Sequence, residues 1–168
     1  MLLYLGLFNL SATAFSGLEY SIGVSWVFLP AGMRLLCTLL FAEEGAVGLF
    51  LAAIVIALSD TSQMDLATGI GAAGISALAP YLSYRLALAY GLPASLRTLT
   101  PGWLSVLVFA YAGMSALMHQ LWFVYRGISD NLVAGFGAMF IGDLVGTLIV
   151  LYSMKAVLAV GRKLAILR

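Results

Sequence analysis

LVAGFGAMFIGDLVGTLIVLYSMKAV, residues 132–157, is an apolar run whose only charged residues are Asp143 in its middle and Lys155 near its end. About 20 consecutive apolar residues are enough for a helix to cross the hydrocarbon core of a bilayer. The run therefore predicts a transmembrane helix. The Ser-Asp-Asn sequence at residues 129–131 is typical of the residues that begin a helix.

Five further apolar runs precede this one, at about residues 2–17, 22–42, 46–59, 66–90 and 102–120. Hydrophobic residues make up 63% of the 168-residue chain and charged residues 9%, whereas soluble domains are about 45–50% apolar and about 25% charged. A soluble domain of this length could not keep so much apolar surface from water, but lipid removes that constraint. The composition predicts one all-α integral membrane domain over residues 1–168, a polytopic transmembrane helix bundle of about six spans surrounded by lipid.

Two features leave the number of spans open. Pro30 lies in the middle of the 22–42 run, where a proline removes a backbone donor and weakens the helix. The 46–59 run is short, and the Glu-Glu-Gly sequence at residues 43–45 predicts a tight link before it. If either span is re-entrant, the count falls to five and the N-terminus lies outside.

Lysine and arginine in short loops predict the orientation, because they are enriched on the cytoplasmic side. With six spans, the side that holds both termini also collects most basic residues, namely Arg97, Lys155, Arg162, Lys163 and Arg168. The other side holds Arg126. We therefore expect a multi-pass protein of the bacterial inner membrane with both termini in the cytoplasm. A net charge of +1 provides no basic patch, so no nucleic-acid partner is expected.

Asp143 is the strongest candidate for a functional charge, because an ionisable residue deep in a span is costly and is usually paired or functional. Small residues at a spacing of four permit a neighbouring helix to approach closely beside it; they are Ala138, Gly142 and Gly146. Two interpretations stay open. Asp143 either forms an ion pair with Arg34 or Arg85 that locks the bundle, or it belongs to a site for a ligand or a proton.

Arg34 lies one turn after Pro30, near the centre of the second span. Backbone carbonyls freed by the proline, with a charge one turn onward, predict a polar notch inside the membrane. The alternative is that the arginine extends to the interface; this is favoured for Arg85, near the end of its span, and disfavoured for Arg34. We expect Arg34 and Asp143 to form a polar centre, with Trp26 and Pro30 shaping a cavity beside it.

No catalytic or metal-binding pattern accompanies these charges. The sequence contains no G-x-S-x-G, H-E-x-x-H or P-loop motif, a single histidine, His119, and a single cysteine, Cys37. A histidine without a cysteine pair is more often a hydrogen-bonded residue than a metal ligand. We expect no enzyme activity, no metal and no cofactor.

Two segments resemble a known family. Residues 25–32, SWVFLPAG, are similar to the Trp…Pro-x-Gly opening of the MASE group of bacterial membrane-associated sensor domains. Residues 140–148, FIGDLVGTL, resemble the F-x-G-D-x-x-G-x-L signature of that group in a late span. The resemblance implies a membrane input module that senses ligands and is usually fused to a histidine kinase or a cyclic-dinucleotide output domain. This chain is shorter than the usual domain and carries no output domain, so a stand-alone version would need a separate protein partner or would have another role.

A second resemblance is architectural. Six spans in a short chain with both termini inside are similar to the substrate-binding subunits of energy-coupling-factor vitamin transporters. Those subunits bind a small molecule at the outer face and work with a separate membrane coupling protein and ATPases. Their first span commonly carries an A-x-x-x-A pattern, of which the first span here has no clean copy.

These patterns predict a non-enzymatic membrane module that binds a small ligand and acts through a protein partner. The expected ligand-binding residues are Trp26, Pro30, Arg34, Gly142, Asp143 and Gly146. The alternative is the substrate-binding subunit of an energy-coupling-factor type transporter, or another small solute carrier. A third hypothesis is a structural subunit that stabilises a larger membrane complex.

Overall fold

The computed structural model describes residues 2–59, 64–92 and 99–166, with side chains described as far as residue 160. These ranges are almost wholly helical, which confirms the all-α class. The α-helices are, in chain order, α1 (Leu2–Ala14), α2 (Leu29–Ser59), α3 (Leu66–Ala89), α4 (Pro101–Tyr125) and α5 (Leu132–Ile166).

A small folded unit connects α1 to α2. One 3₁₀ turn, Ser16–Leu18, leads into the antiparallel strands β1 (Glu19–Ser21) and β2 (Val24–Ser25). Gly23 has a φ of 73° in the turn between the strands, a backbone conformation that favours glycine. The span predicted at residues 22–42 is therefore wrong in its first part, because α2 begins only at Leu29.

Pro30 is buried in the first turn of α2 and does not break a span. In that turn the missing N–H has no helical partner to lose, and the fixed φ of proline suits the helix. The predicted break at Pro30 is thus wrong. The break lies further on, at Ala42, whose backbone has a φ of 44° and a ψ of −112°.

Ala42 divides α2 into two arms, residues 29–41 and 43–59, and the chain reverses direction between them. A Cβ on Gly45 would collide with the carbonyl oxygen of Cys37, although these residues would be about 12 Å apart along a continuous helix. Apolar side chains from both arms also pack in one cluster. The reversal lies directly beside the tight link predicted at residues 43–45.

After this reversal, successive helices pack as antiparallel neighbours. For the second arm and α3, the direction follows from the contacts of Glu43 with Arg85 and of Ala57 with Gly69. For α3 and α4, it follows from the contacts of Thr68 with Arg126 and of Ser76 with His119. For α4 and α5, it follows from the contacts of Gly113 with Phe140 and of Gln120 with Gly135. The first helix, α1, is antiparallel to the first arm, because Tyr4 contacts Arg34 and Ser11 contacts Leu29.

The first arm of α2 runs parallel to α5. Three contacts advance together along α5 and along the segment that runs from β2 into the first arm: Ser25 with Gly142, Phe28 with Gly146, and Gly32 with Val150. Parallel packing requires an even number of chain reversals between the first arm and α5. Counting the turn at Ala42, there are four: at Ala42, between the second arm and α3, between α3 and α4, and between α4 and α5. Beyond this contact α5 continues past the bundle, and every residue from Tyr152 to Val160 is exposed.

Among the described residues, four helices are long and apolar enough to cross a membrane, judged by length and composition: α2, α3, α4 and Leu132–Val160 of α5. The helix α1 is apolar but shorter. The predicted starts near residues 66 and 132 agree with α3 and α5, whereas α4 continues to Tyr125, beyond its predicted end at residue 120. Some residues named in the sequence analysis lie outside the described part of the chain, namely residues 60–63 of a predicted polar link, Arg97, Arg168 and the side chains of Arg162 and Lys163.

Candidate functional site

A buried polar cluster lies where α1, the first arm of α2, α4 and α5 meet. Its members are each at most 5% exposed and comprise Tyr4, Arg34, Tyr111, Ser115, Asp143 and Thr147. Helical spacing gathers them, since Ser115 follows Tyr111 by one turn of α4 and Thr147 follows Asp143 by one turn of α5. We refer to these six residues as the polar cluster.

Arg34 is held in the cluster from two sides. Its Nε donates to the hydroxyl of Tyr4 at 2.9 Å, and its guanidinium carbon lies 4.9 Å from the centre of the Phe28 ring. A cation at this distance is attracted to the face of an aromatic ring. The Nη1 atom is buried and has no hydrogen-bond partner within the described part of the chain. Arg34 therefore faces the bundle interior, as its position near the centre of the predicted second span indicates.

Asp143 is fully buried, and neither carboxylate oxygen has a hydrogen-bond partner among the residues that the structure describes. The positive charge that acts on Asp143 is Arg34, and Ser115 and Tyr111 present the nearby hydroxyls. Across the described ranges no ion pair joins Asp143 to Arg34. The two charges expected to pair thus lie in one cluster but without direct contact.

A cavity of about 470 Å³ lies beside the polar cluster. Residues of α1, of both arms of α2, of α3, of α4 and of α5 form its walls, and β1 and β2 contribute at one end. Small-molecule sites are typically about 300–1,000 Å³, mostly apolar, with few polar groups. The polar and charged side chains on this wall include Ser11, Arg34, Ser76 and His119, with the exposed Glu19 at the rim.

Arg34 and Tyr4 belong both to the polar cluster and to the cavity wall. The other four members of the cluster are not part of that wall. Arg34 therefore lies at the boundary, with the cavity on one side and the carboxylate of Asp143 within its electrostatic reach. In the low dielectric of a bundle interior, charges interact strongly even without contact.

His119 is buried on the cavity wall, and both of its ring nitrogens have polar neighbours. Nε2 lies 3.3 Å from Ser76 Oγ, and Nδ1 lies 2.9 Å from the carbonyl oxygen of Ser115. These contacts agree with the expected hydrogen-bonded histidine. Within the ranges that the structure describes, no group of three or more His, Cys, Asp or Glu residues could hold a metal ion.

Trp26 and Pro30 do not line the cavity. The Trp26 side chain is 40% exposed and packs edge-to-face on Tyr20, with ring centres 5.9 Å apart. Pro30 is buried in the first turn of α2. Neither side chain shapes the cavity wall in the way that the sequence predicted.

Gly142 and Gly146 are sites of close backbone approach. A Cβ on Gly142 would collide with the carbonyl oxygen of Ser25, and a Cβ on Gly146 with that of Phe28. The two glycines therefore hold β2 and the start of α2 directly against α5. Of the six residues expected to bind a ligand, Arg34 is the one that reaches the cavity.

Ion pairs occupy the two ends of the bundle. At the end with the β-strands, Arg126 Nη2 lies 2.7 Å from Asp65 Oδ2, and the Thr68 side chain also bonds to Asp65. Hydrogen bonds from Thr68 and the charge of Arg126 hold the pKa of Asp65 below its usual value. At the opposite end, Arg85 pairs with Glu43 at 3.3 Å and is largely exposed, in agreement with the interfacial position favoured for it.

Sequence reasoning missed the contribution of α1 to this site. Tyr4, Phe8, Ser11 and Phe15 all line the cavity, and their spacing of four, three and four residues places them on one helical face. The hydroxyl-bearing residues Tyr4 and Ser11, which share one face of this mostly apolar helix, were a signal that could have identified this wall.

Comparison of the chain with protein-family models, with curated proteins and with solved structures gives no match. The cavity and the polar cluster are therefore the basis for assigning a function.

Proposed function

We propose that the protein is a non-enzymatic integral membrane module that binds a small ligand in the cavity and acts through a partner protein, as a MASE-like sensor domain would. The observation that carries this proposal is the position of Arg34, a buried cation on the wall of a largely apolar cavity of about 470 Å³. A mostly apolar cavity with few polar groups is typical of a small-molecule site. Charges at membrane depth are costly and are usually retained for function.

We propose six membrane crossings, in which the two arms of α2 count separately. The reversal at Ala42, the antiparallel packing of α1 and the parallel packing of the first arm with α5 support this count. Both α1 and the first arm are shorter than a typical span of about 20 residues. The β1–β2 unit supports the same arrangement, because Val24 packs inside the bundle against Phe123 and Met139 and fills the depth that these short helices leave.

The proposed orientation has both termini in the cytoplasm. The cavity rim at Glu19 then lies toward the outside, at the end that holds Asp65 and Arg126. The opposite end holds the reversal at Ala42 and the distal part of α5, with Lys155. Enrichment of lysine and arginine on the cytoplasmic side supports this assignment.

A charge-removal series tests the ligand-binding proposal. Arg34→Gln, Asp143→Asn and the double variant are purified in detergent, and thermal stability and the tryptophan fluorescence response to added solutes are measured. Arg85→Gln, which removes an exposed arginine at the other end, is the matched control. We expect the cluster variants to alter both readouts and the control to alter neither. The proposal fails if neither single cluster variant changes either readout.

A transport subunit is the second candidate function. It is supported by the proposed outward opening of the cavity, because the transporter subunits that the architecture resembles bind their solute at the outer face. Reconstitution into vesicles with radiolabelled solutes distinguishes the two functions, since a sensor binds without net flux. Stoichiometric co-purification with ATPases favours transport, and co-purification with a kinase or a diguanylate cyclase favours sensing.

A further inference from the structure

We infer that the ligand of this cavity is a small carboxylate with an apolar body, and that its carboxylate competes with Asp143 for the charge of Arg34. This inference rests on the proposed function and adds to it the chemical class of the ligand. It also assigns the route by which an occupied cavity affects α5, the helix that carries Asp143.

The charge of the cavity wall favours an anion. Arg34 is its buried cation, while the acid Glu19 is exposed at the rim, where water screens it. The Nη1 atom of Arg34 has no hydrogen-bond partner in the described part of the chain, and neither do the two carboxylate oxygens of Asp143. The existing counter-charge thus attracts Arg34 without bonding to it. A carboxylate that reaches the guanidinium from the cavity gains a charge-assisted hydrogen bond that Asp143 does not make.

The same wall favours a carboxylate over a phosphate. A phosphate dianion carries two charges, whereas Arg34 is the one arginine or lysine on the described cavity wall, and its single charge is matched by one carboxylate. The remaining wall is largely apolar and includes Phe8, Phe28, Ile56 and Phe123. An apolar body buried against these side chains contributes affinity in proportion to the area that it removes from water.

The competition predicts opposite effects for the two charges. Removal of Asp143 leaves Arg34 without its internal counter-charge, so an added carboxylate should bind more tightly. Removal of Arg34 should abolish the preference for a carboxylate. If Asp143 only supported the fold, its removal would leave the affinity unchanged or weaken it.

The experiment titrates matched pairs of probes, 3-phenylpropionate with 3-phenylpropionamide and indole-3-acetate with indole-3-acetamide, into the full chain in detergent. Binding is followed by calorimetry and by thermal shift. For the wild type we expect each carboxylate to bind at least about tenfold more tightly than its amide, because a hydrogen bond to a charged group contributes about 1.5–3 kcal/mol. Asp143→Asn should tighten carboxylate binding about tenfold, and Arg34→Gln should equalise the two probes of each pair.

Two further variants keep the test decisive. Arg34→Lys keeps a buried positive charge, so the variant should still fold. It loses the planar guanidinium, so carboxylate binding should weaken while amide binding stays the same. Glu19→Gln alters the exposed charge at the rim and should change affinity by less than about twofold, because exposed charges are screened.

The outcomes separate this inference from the proposed function. Equal binding of carboxylates and amides, or weaker carboxylate binding in Asp143→Asn, overturns the competition while ligand binding itself stands. If no probe of either kind binds to the folded wild type, the carboxylate assignment is overturned. The proposed function is then decided separately by the charge-removal series.

Discussion

The backbone N–H of Phe28 donates to the carbonyl oxygen of Gly142 at 3.1 Å, which fastens the start of α2 to α5. This approach depends on the absence of side chains at Gly142 and, one turn later, at Gly146. Carbonyl oxygens of Ser25 and Phe28 occupy the space where the two Cβ atoms would lie. Because the obstruction is backbone, it cannot move aside by a change of rotamer.

Gly146→Ala should therefore destabilise the protein by about 1–3 kcal/mol, the range for overpacked sites. Gly137→Ala on the same helix is the matched control, because no atom lies within 4 Å of its added Cβ. The control should be neutral or gain up to about 1 kcal/mol, since alanine is the better helix former. Unfolding in detergent measures both variants, and equal losses would contradict the proposed role of the close approach.

Two tyrosines of the polar cluster should respond differently to removal of the hydroxyl. Tyr4→Phe leaves the buried Nε of Arg34 without its partner, so we expect a loss of about 1–3 kcal/mol. The Tyr111 hydroxyl is buried without a hydrogen-bond partner among the described residues, so Tyr111→Phe should be neutral or stabilising. Thermal unfolding of the two variants side by side checks the prediction, and a larger loss for Tyr111→Phe would refute it.

Ala42 adopts a positive φ of 44° at the reversal within α2. Glycine takes such a conformation without steric cost, so Ala42→Gly should stabilise the protein by about 1 kcal/mol. The same change at Ala46, in the regular second arm, should cost about 1 kcal/mol through lower helix propensity. Opposite signs in thermal unfolding are expected; a loss at both positions would exclude strain at Ala42.

Asp65 should make stability depend on pH in the acid range. Hydrogen bonds from Thr68 and the charge of Arg126 lower the pKa of this carboxyl in the folded protein, so the folded state favours the ionised form. The resulting stabilisation is present above the ordinary value of 3.8 and is lost as the pH falls through the lower, folded-state pKa. Thermal unfolding across this range should show a steeper acid loss for the wild type than for Asp65→Asn. Asp130→Asn, which removes another exposed acid, controls for net charge.

The helical class and the placement of Arg34 and Asp143 in one buried cluster could be predicted from the sequence. Apolar composition and the cost of buried charge are properties of the residues themselves, and they require a helical membrane bundle with these two charges turned inward. The start of α3 could also be predicted from the residues themselves. Asp65 caps its first turn, and the apolar run begins directly after it.

The role of Pro30 and the position of the cavity could not be predicted in the same way. A proline in the middle of an apolar run predicts a break in the helix. Because the β-strands precede Leu29, the helix begins there, and Pro30 lies in its first turn. The cavity depends on how α1 and the β1–β2 unit pack across α3 and α4. Ser76 and His119 meet there although they are 43 residues apart, a contact that no local pattern encodes.

The helix α5 has 35 residues and leaves the bundle at about Tyr152. From Asp143 to its last described residue, Ile166, it extends for about 35 Å as one rod. A tilt of about 5° in the part beyond Tyr152, which is about 20 Å long, carries its far end sideways by about 2 Å. A small change in the charge balance at Asp143, which lies on the same helix, would thus reach an adjoining protein as a movement of the exposed end of α5.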